Sequence, residues 1–258
     1  MTEPAGEVHL EVRDQVAVLR LDRPAKLNAM TPAMTDALTA AVAGLTENPA
    51  VRAVVLTGTG RAFCAGSDIA GLDGYDSPWQ FGERPDYCDA IRALGRPVIA
   101  AVNGYALGGG LELALGCDIR LAAESATFAA PEIKLGWIGG GGMSALLAHS
   151  VGPSNAALML MTGDPVDAPT ALRWGLVSEV LPAPDLLGRA LALAAVIASR
   201  APLAARTAKR TLRAAYEMPL GRAIDYERQL QTICFGTEDA AEGRAAFTER
   251  RPPAFRGR

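Results

Sequence analysis

Two glutamates are set apart by their surroundings. Glu112 is the only charged residue between Tyr105 and Cys117. The helical pattern around it is apolar on every side, so its carboxylate should be buried. A buried carboxylate without a partner is costly, or it takes up a proton. Either a cation holds it there, Arg120 being the available one, or it works as an acid or base. Glu132 also has apolar flanks, in Phe128-Ala129-Ala130-Pro131-Glu132-Ile133-Lys134-Leu135-Gly136. Lys134 falls on the same side of an extended chain, and a surface ion pair is the simplest account of this segment alone.

Three glycine-bearing segments accompany the two acids. Gly108-Gly109-Gly110 follows an apolar run that ends at Asn103 and opens the apolar helix carrying Glu112. The first amides of a helix have no internal acceptor, and glycine lets a ligand approach them closely. Neither the dinucleotide-binding nor the P-loop glycine pattern occurs here, and tight strand–helix packing is the alternative role. Gly139-Gly140-Gly141-Gly142 is a second stretch that can bring backbone against something. Phe63-Cys64-Ala65-Gly66-Ser67-Asp68-Ile69 can present a further amide, or its Ser67-Asp68 can cap a helix.

Composition narrows the chemistry. The 258 residues are half apolar, 21% charged and only 5% aromatic, with a net charge of −3. That length suffices for one large domain with a core of Leu, Ala, Val and Ile. No basic face points to nucleic acid. Only two histidines, His9 and His149, occur, against 27 glycines, so imidazole catalysis and a metal centre are not expected. Carboxylates and backbone amides are left to do the work. The N-terminal Met1–Glu7 stretch is acidic and does not read as a signal peptide, and no apolar run is long enough to span a membrane. Cys64, Cys88, Cys117 and Cys234 show no C-x-x-C spacing and read as reduced thiols, as in the cytoplasm.

These groups need a scaffold, and the sequence outlines one. Residues 9–13 and 16–22 alternate and meet at Asp14-Gln15, as a hairpin does. Thr31-Pro32 opens a helix with Met34, Leu38, Val42 and Leu45 at helical spacing. Residues 53–56, 98–102 and 119–122 are short apolar runs, as expected of buried parallel strands, each followed by a turn and a helical pattern. Residues 71–85 show no period and read as a loop. From about Pro153 the chain reads as successive helices broken by prolines.

Taken together, these segments resemble the enoyl-CoA hydratase/isomerase, or crotonase, superfamily. The likeness runs through Leu21-Asp22-Arg23-Pro24 with Asn28-Ala29-Met30, Phe63 to Asp68, Asn103-Gly104 to Glu112, Cys117-Asp118 and Phe128 to Gly136. It continues in Leu160 to Asp164, Ala171 to Val177, Glu242-Gly243 to Phe247, and Phe255. The resemblance implies an α/β fold, a crotonase-like spiral of β-β-α units over residues 1–200. A C-terminal helical trimerisation region over residues 201–258 would build a homotrimer or a dimer of trimers. The implied activity is an enoyl-CoA hydratase, a hydro-lyase of fatty acid metabolism acting on an acyl-CoA thioester, with coenzyme A as part of the substrate and no separate cofactor.

Residue by residue, the resemblance makes Glu112 the base that activates water and Glu132 the proton donor. It assigns the oxyanion hole to the N–H groups of Ala65 and Gly109, and water positioning to Gly140. It places coenzyme A along Ala25, Lys26, Leu27, Ser67, Asp68, Ile69 and Pro131, with Phe247 and Arg250 reaching it, from the same or a neighbouring subunit. The chain departs from the family pattern at Gly139, where proline is usual, and at Gly142-Met143-Ser144-Ala145, where a Gly-Thr-Gln-Arg type stretch is usual. Arg250 stands where many relatives have lysine. Other family reactions, a carnitinyl-CoA-type dehydration or double-bond isomerisation, and a non-catalytic acyl-CoA binder are the alternatives.

Overall fold

A computed structural model describes residues 6–258, apart from the side chains of residues 72 and 73. Most of Met1–Glu7, read above as unlike a signal peptide, therefore lies outside the described residues. Strands β1 (Glu7–Arg13) and β2 (Val16–Asp22) form the expected hairpin. Asp14 turns it in the left-handed region, which a short polar side chain tolerates. The helix opened by Thr31 is α1 (Pro32–Glu47), with the threonine oxygen accepting from the Met34 N–H.

From here the chain repeats one move three times. Strand β3 (Ala53–Gly58) is followed by β4 (Ala62–Cys64), then by helices α2 (Pro78–Gly82) and α3 (Tyr87–Ala93). Strand β5 (Val98–Val102) leads to β6 (Tyr105–Leu107) and α4 (Gly109–Leu115). Strand β7 (Ile119–Ala123) leads to β8 (Thr127–Ala129), a 3-10 turn at Pro131–Leu135, and helices α5 (Met143–Val151) and α6 (Pro153–Thr162). The first strand of each repeat joins one sheet and the second joins another, which produces a spiral of β-β-α turns. With β9 (Val166–Asp167), α7 (Ala168–Trp174) and β10 (Glu179–Leu181), the sheets have the orders β1-β2-β3-β5-β7-β10 and β4-β6-β8-β9. Every pairing is parallel except β1 with β2 and β8 with β9.

Both faces of the larger sheet are covered, hence the uninterrupted apolar runs of β3 and β5. Ala17, Leu19, Val54 and Leu56 face the core that holds Phe63, Phe128 and Leu111. Val16, Val18, Val55, Ile99 and Leu121 face the other way, against Leu186, Ala190 and Ala194 of α8 (Ala183–Ala198).

Helices α9 (Pro202–Glu217), α10 (Leu220–Phe235) and α11 (Glu238–Glu249) complete the chain. The boundary placed at residue 200 thus falls between α8 and α9. Buried Lys209 of α9 bonds Asp118 Oδ2 and the Arg96 carbonyl, both at 2.8 Å. Arg52 reaches the carbonyls of Ala198 and Phe255.

The structure corrects the loop expected over residues 71–85. Within it lie the end of a 3-10 turn (Ile69–Gly74) and the short α2, whose cap is Ser77 with Pro78 at its first position. Five residues are too few to show a helical period. Helices α3 and α5 realise the helical patterns expected after β3 and β7, with ranges the sequence does not fix because each carries only a few buried side chains.

Candidate active site

The segment after β4 is held from below by a turn in an unusual conformation. Leu27 and Asn28 both have positive φ, 52° and 58°. Asn28 is fully buried, and its amide donates to the carbonyls of Thr59, Ala62 and Phe63 while its oxygen accepts from the Arg23 N–H. The turn thereby aims the Leu27 carbonyl at the Ala65 N–H, 3.0 Å away. This corrects the expectation for Ala65: its amide is committed within the chain and is not free to meet a ligand.

The available amide lies two residues on. Met30 and Ser67 form a parallel bridge in which the Met30 N–H donates to Gly66 and the Asp68 N–H donates to Met30. In such a bridge the intervening residue turns its own N–H to the opposite side. The Ser67 N–H accordingly donates to no acceptor among the described residues. Opposite it, α4 begins at Gly109, whose N–H is likewise unclaimed, as expected at the first position of a helix. A Cβ on Gly66 would lie 2.9 Å from the Gly109 nitrogen, so the two stretches are in contact with no side chain between them.

Both glutamates reach this place. Glu112 is 6% exposed, and its Oε1 accepts from the N–H groups of Gly141 (2.7 Å) and Met143 (3.1 Å). Arg92 donates to the Gly141 carbonyl and so holds that loop in place. Side chains at positions 139 and 141 would strike Glu112: a Cβ there would come within 2.7 and 2.8 Å of its oxygens. The departure from proline at Gly139 is thus tied to the seat of Glu112. Glu132 stands in the 3-10 turn opened by Pro131, its Oε1 2.8 Å from the point a Cβ on Gly108 would occupy. Its Oε2 is buried with no partner among the described residues.

Neither acid has the cation the sequence offered it. Arg120 donates to the Leu176 and Cys117 carbonyls, and Lys134 pairs with Asp164 at 2.8 Å. Burial therefore pushes both carboxyls above the ordinary range. For Glu112, the two backbone donors pull the other way and the nearby Glu132 adds to the rise. Two acids that resist ionisation, beside two unclaimed N–H groups, suit proton transfer next to an oxygen that gains charge.

A sequence profile of the enoyl-CoA hydratase/isomerase family matches residues 11–258. The chain belongs to the enoyl-CoA hydratase/isomerase family. It is 41% identical over 247 residues to the mitochondrial enoyl-CoA hydratase of Pongo abelii, covering 93% of this chain and 83% of that one. It is 40% identical to the 2,3-dehydroadipyl-CoA hydratase of Escherichia coli K12, covering 98% of this chain and all of that one. The crystal structure of a Geobacillus kaustophilus enoyl-CoA hydratase subunit superposes with a TM-score of 0.90 at 38% identity, covering 97% of this chain and 98% of that one.

The other family positions are placed as follows. Ala25 and Lys26 lie exposed in a 3-10 turn (Pro24–Lys26) just before Leu27. Asp68 caps the turn that starts at Ile69 and pairs with Arg23 at 2.7 Å, which holds its carboxyl below the usual range. The capping alternative is therefore realised, by Asp68 alone. Gly140 is exposed and its N–H is unclaimed among the described residues. Phe247 is 86% exposed near the end of α11, and Arg250 terminates that helix in the left-handed conformation. Asn28 and Tyr87 were given no role from sequence. Asn28 stood in the matching motif. Tyr87 lies where no periodic pattern singles it out, yet its hydroxyl meets both Ser67 and Gly109.

Proposed function

We propose that this chain is an enoyl-CoA hydratase, adding water reversibly and syn across the double bond of a 2-trans-enoyl-CoA to give the 3-hydroxyacyl-CoA. The observation that carries this reading is the pairing of buried Glu112 and half-buried Glu132, neither in contact with a cation among the described residues, with two unclaimed backbone N–H groups. The thioester oxygen sits between the N–H groups of Ser67 and Gly109 and becomes an enolate oxygen in the transition state. Donors so placed are each worth on the order of 10²–10³ in rate. Glu112 takes a proton from the water whose oxygen bonds to Cβ. Glu132 delivers a proton to Cα on the same face. Each acid ends in the other's starting state, and a proton exchange with solvent resets the pair. The Gly140 N–H helps hold the water. Isomerisation needs only one such acid, and the presence of both favours hydration.

Coenzyme A lies along Ala25, Lys26, Leu27, Asp68 and Ile69, beside Pro131. Phe247 and Arg250 of a neighbouring copy reach it in a homotrimer or a dimer of trimers. Exposed Leu212, Tyr216, Leu220, Ile233 and Phe235 on α9 and α10 suit such packing. Light scattering of the purified protein tests the assembly. Loss of the conjugated enoyl-thioester absorbance of crotonyl-CoA, with 3-hydroxybutyryl-CoA as product, tests the reaction. No hydration of any enoyl-CoA from C4 to C16 by folded protein overturns it.

A further inference from the structure

Resting on the hydratase reading, we infer that Tyr87 is a positioning residue that sets the two unclaimed N–H groups at their working separation. The need for it comes from the backbone. Strands β4 and β6 are paired at Cys64 and Ala106, but beyond that point the two stretches part company. Residues 66–68 bond to Met30, and Gly108 bonds to the Ala129 carbonyl. Among the described residues no backbone hydrogen bond joins residues 65–68 to 108–110. Two donors that must converge on one oxygen thus sit on separately anchored stretches.

Tyr87 bridges them. It is 7% exposed and opens α3, fixed by the Asp86 cap. Its hydroxyl lies 3.2 Å from Ser67 Oγ. The same oxygen lies 1.9 Å from the point a Cβ on Gly109 would occupy, which puts it against the Gly109 Cα. The next residue, Cys88, directs its thiol at the Gly109 carbonyl, 3.7 Å away. One turn of α3 therefore braces the Gly109 amide and ties the Ser67 side chain. Burial raises the phenol well above its ordinary range, so it stays neutral and brings no negative charge to a place that must attract one.

The test is a double-mutant cycle of Tyr87→Phe and Ser67→Ala, read in two ways. The first is kcat and KM on crotonyl-CoA. The second is the red shift of 4-(dimethylamino)cinnamoyl-CoA on binding, which reports polarisation of the thioester carbonyl. Each single variant is expected to lower kcat about tenfold with KM nearly unchanged, the loss of one hydrogen bond's worth of alignment. Each should shrink the red shift, and the double variant should be no worse than either. A Tyr87→Phe variant with unchanged kcat and shift overturns the inference, and so does a fully additive cycle. Should Tyr87→Phe fail to fold, Ser67→Ala reads the same link from the other end. A wild type that reddens the probe but hydrates nothing overturns the hydratase reading alone, since the shift still measures the link.

Discussion

Two acidic centres, Asp118 on one hand and Glu112 with Glu132 on the other, are built on opposite rules. At Asp118, the carboxylate meets the Lys209 ammonium and the Val98 N–H, each at 2.8 Å, and the lysine also bonds the Arg96 carbonyl. Each charge has its opposite, and the result fastens α9 to the sheet. At Glu112 and Glu132, no cation is in contact among the described residues, one acid is held by two amides, and the other keeps a buried oxygen with no partner among those residues. Burial drives both upward in pKa. One acid closed by a lysine, and two others left without a cation among the described residues, fit the proposal that the second pair serves chemistry.

The comparison can be broken by exchanging what each centre should lose. Glu112→Gln is expected to lower kcat by about 10²–10⁴ with little change in KM and no loss of fold, measured on crotonyl-CoA alongside circular dichroism. Lys209→Met should do the reverse. It strands Asp118 and lowers stability by about 3–5 kcal/mol in denaturant titration, with kcat per folded molecule unchanged. Loss of activity without loss of stability in the lysine variant erases the distinction.

A smaller effect should follow from Gly109→Ala, whose methyl meets the Tyr87 oxygen, with a loss of about tenfold or more in kcat. Adding Tyr87→Phe removes that oxygen and leaves the ring carbon at 3.1 Å, so part of the loss should return.

The pH dependence sharpens the contrast further. Catalysis needs one acid ionised and the other protonated, so kcat/KM should follow a bell. Its acidic limb should lie above the ordinary carboxylate range, because burial raises both groups. Stability carries the same sign. Glu132 has a folded pKa above its unfolded one, so its ionisation costs stability above the folded value, and the cost vanishes below the unfolded value. Glu132→Gln should therefore raise Tm by about 2–4 °C at pH 8 and by nothing near pH 4. An equal gain at both ends shows that the charge is not the cause.

Much of this scaffold was legible because it is local. The hairpin at Asp14-Gln15, the Thr31 cap, the apolar runs of β3, β5 and β7 and the helices after Pro153 follow from period, capping and proline breaks. The short strands β4, β6, β8 and β9 were not legible. Each has only two or three residues, too few for a period, and each exists because a partner lies alongside.

The candidate site divides along the same line. Glu112 in an apolar helix and the glycines before it announce themselves in one dimension, and so does the acid after Pro131. Whether an acid has a cation does not. Arg120 and Lys134 are near in sequence, but spend their hydrogen bonds on Leu176, Cys117 and Asp164. The chain by itself determined which groups could do the chemistry: two carboxylates with apolar flanks, and amides freed by glycine. Only the tertiary structure decided which amides are free. The Ala65 N–H is claimed by Leu27, and that of Ser67 is left open by its bridge to Met30. A backbone donor carries no mark of its partner in the residue that bears it. Its availability depends on what a distant stretch, here the left-handed turn at Leu27-Asn28, brings within 3.0 Å.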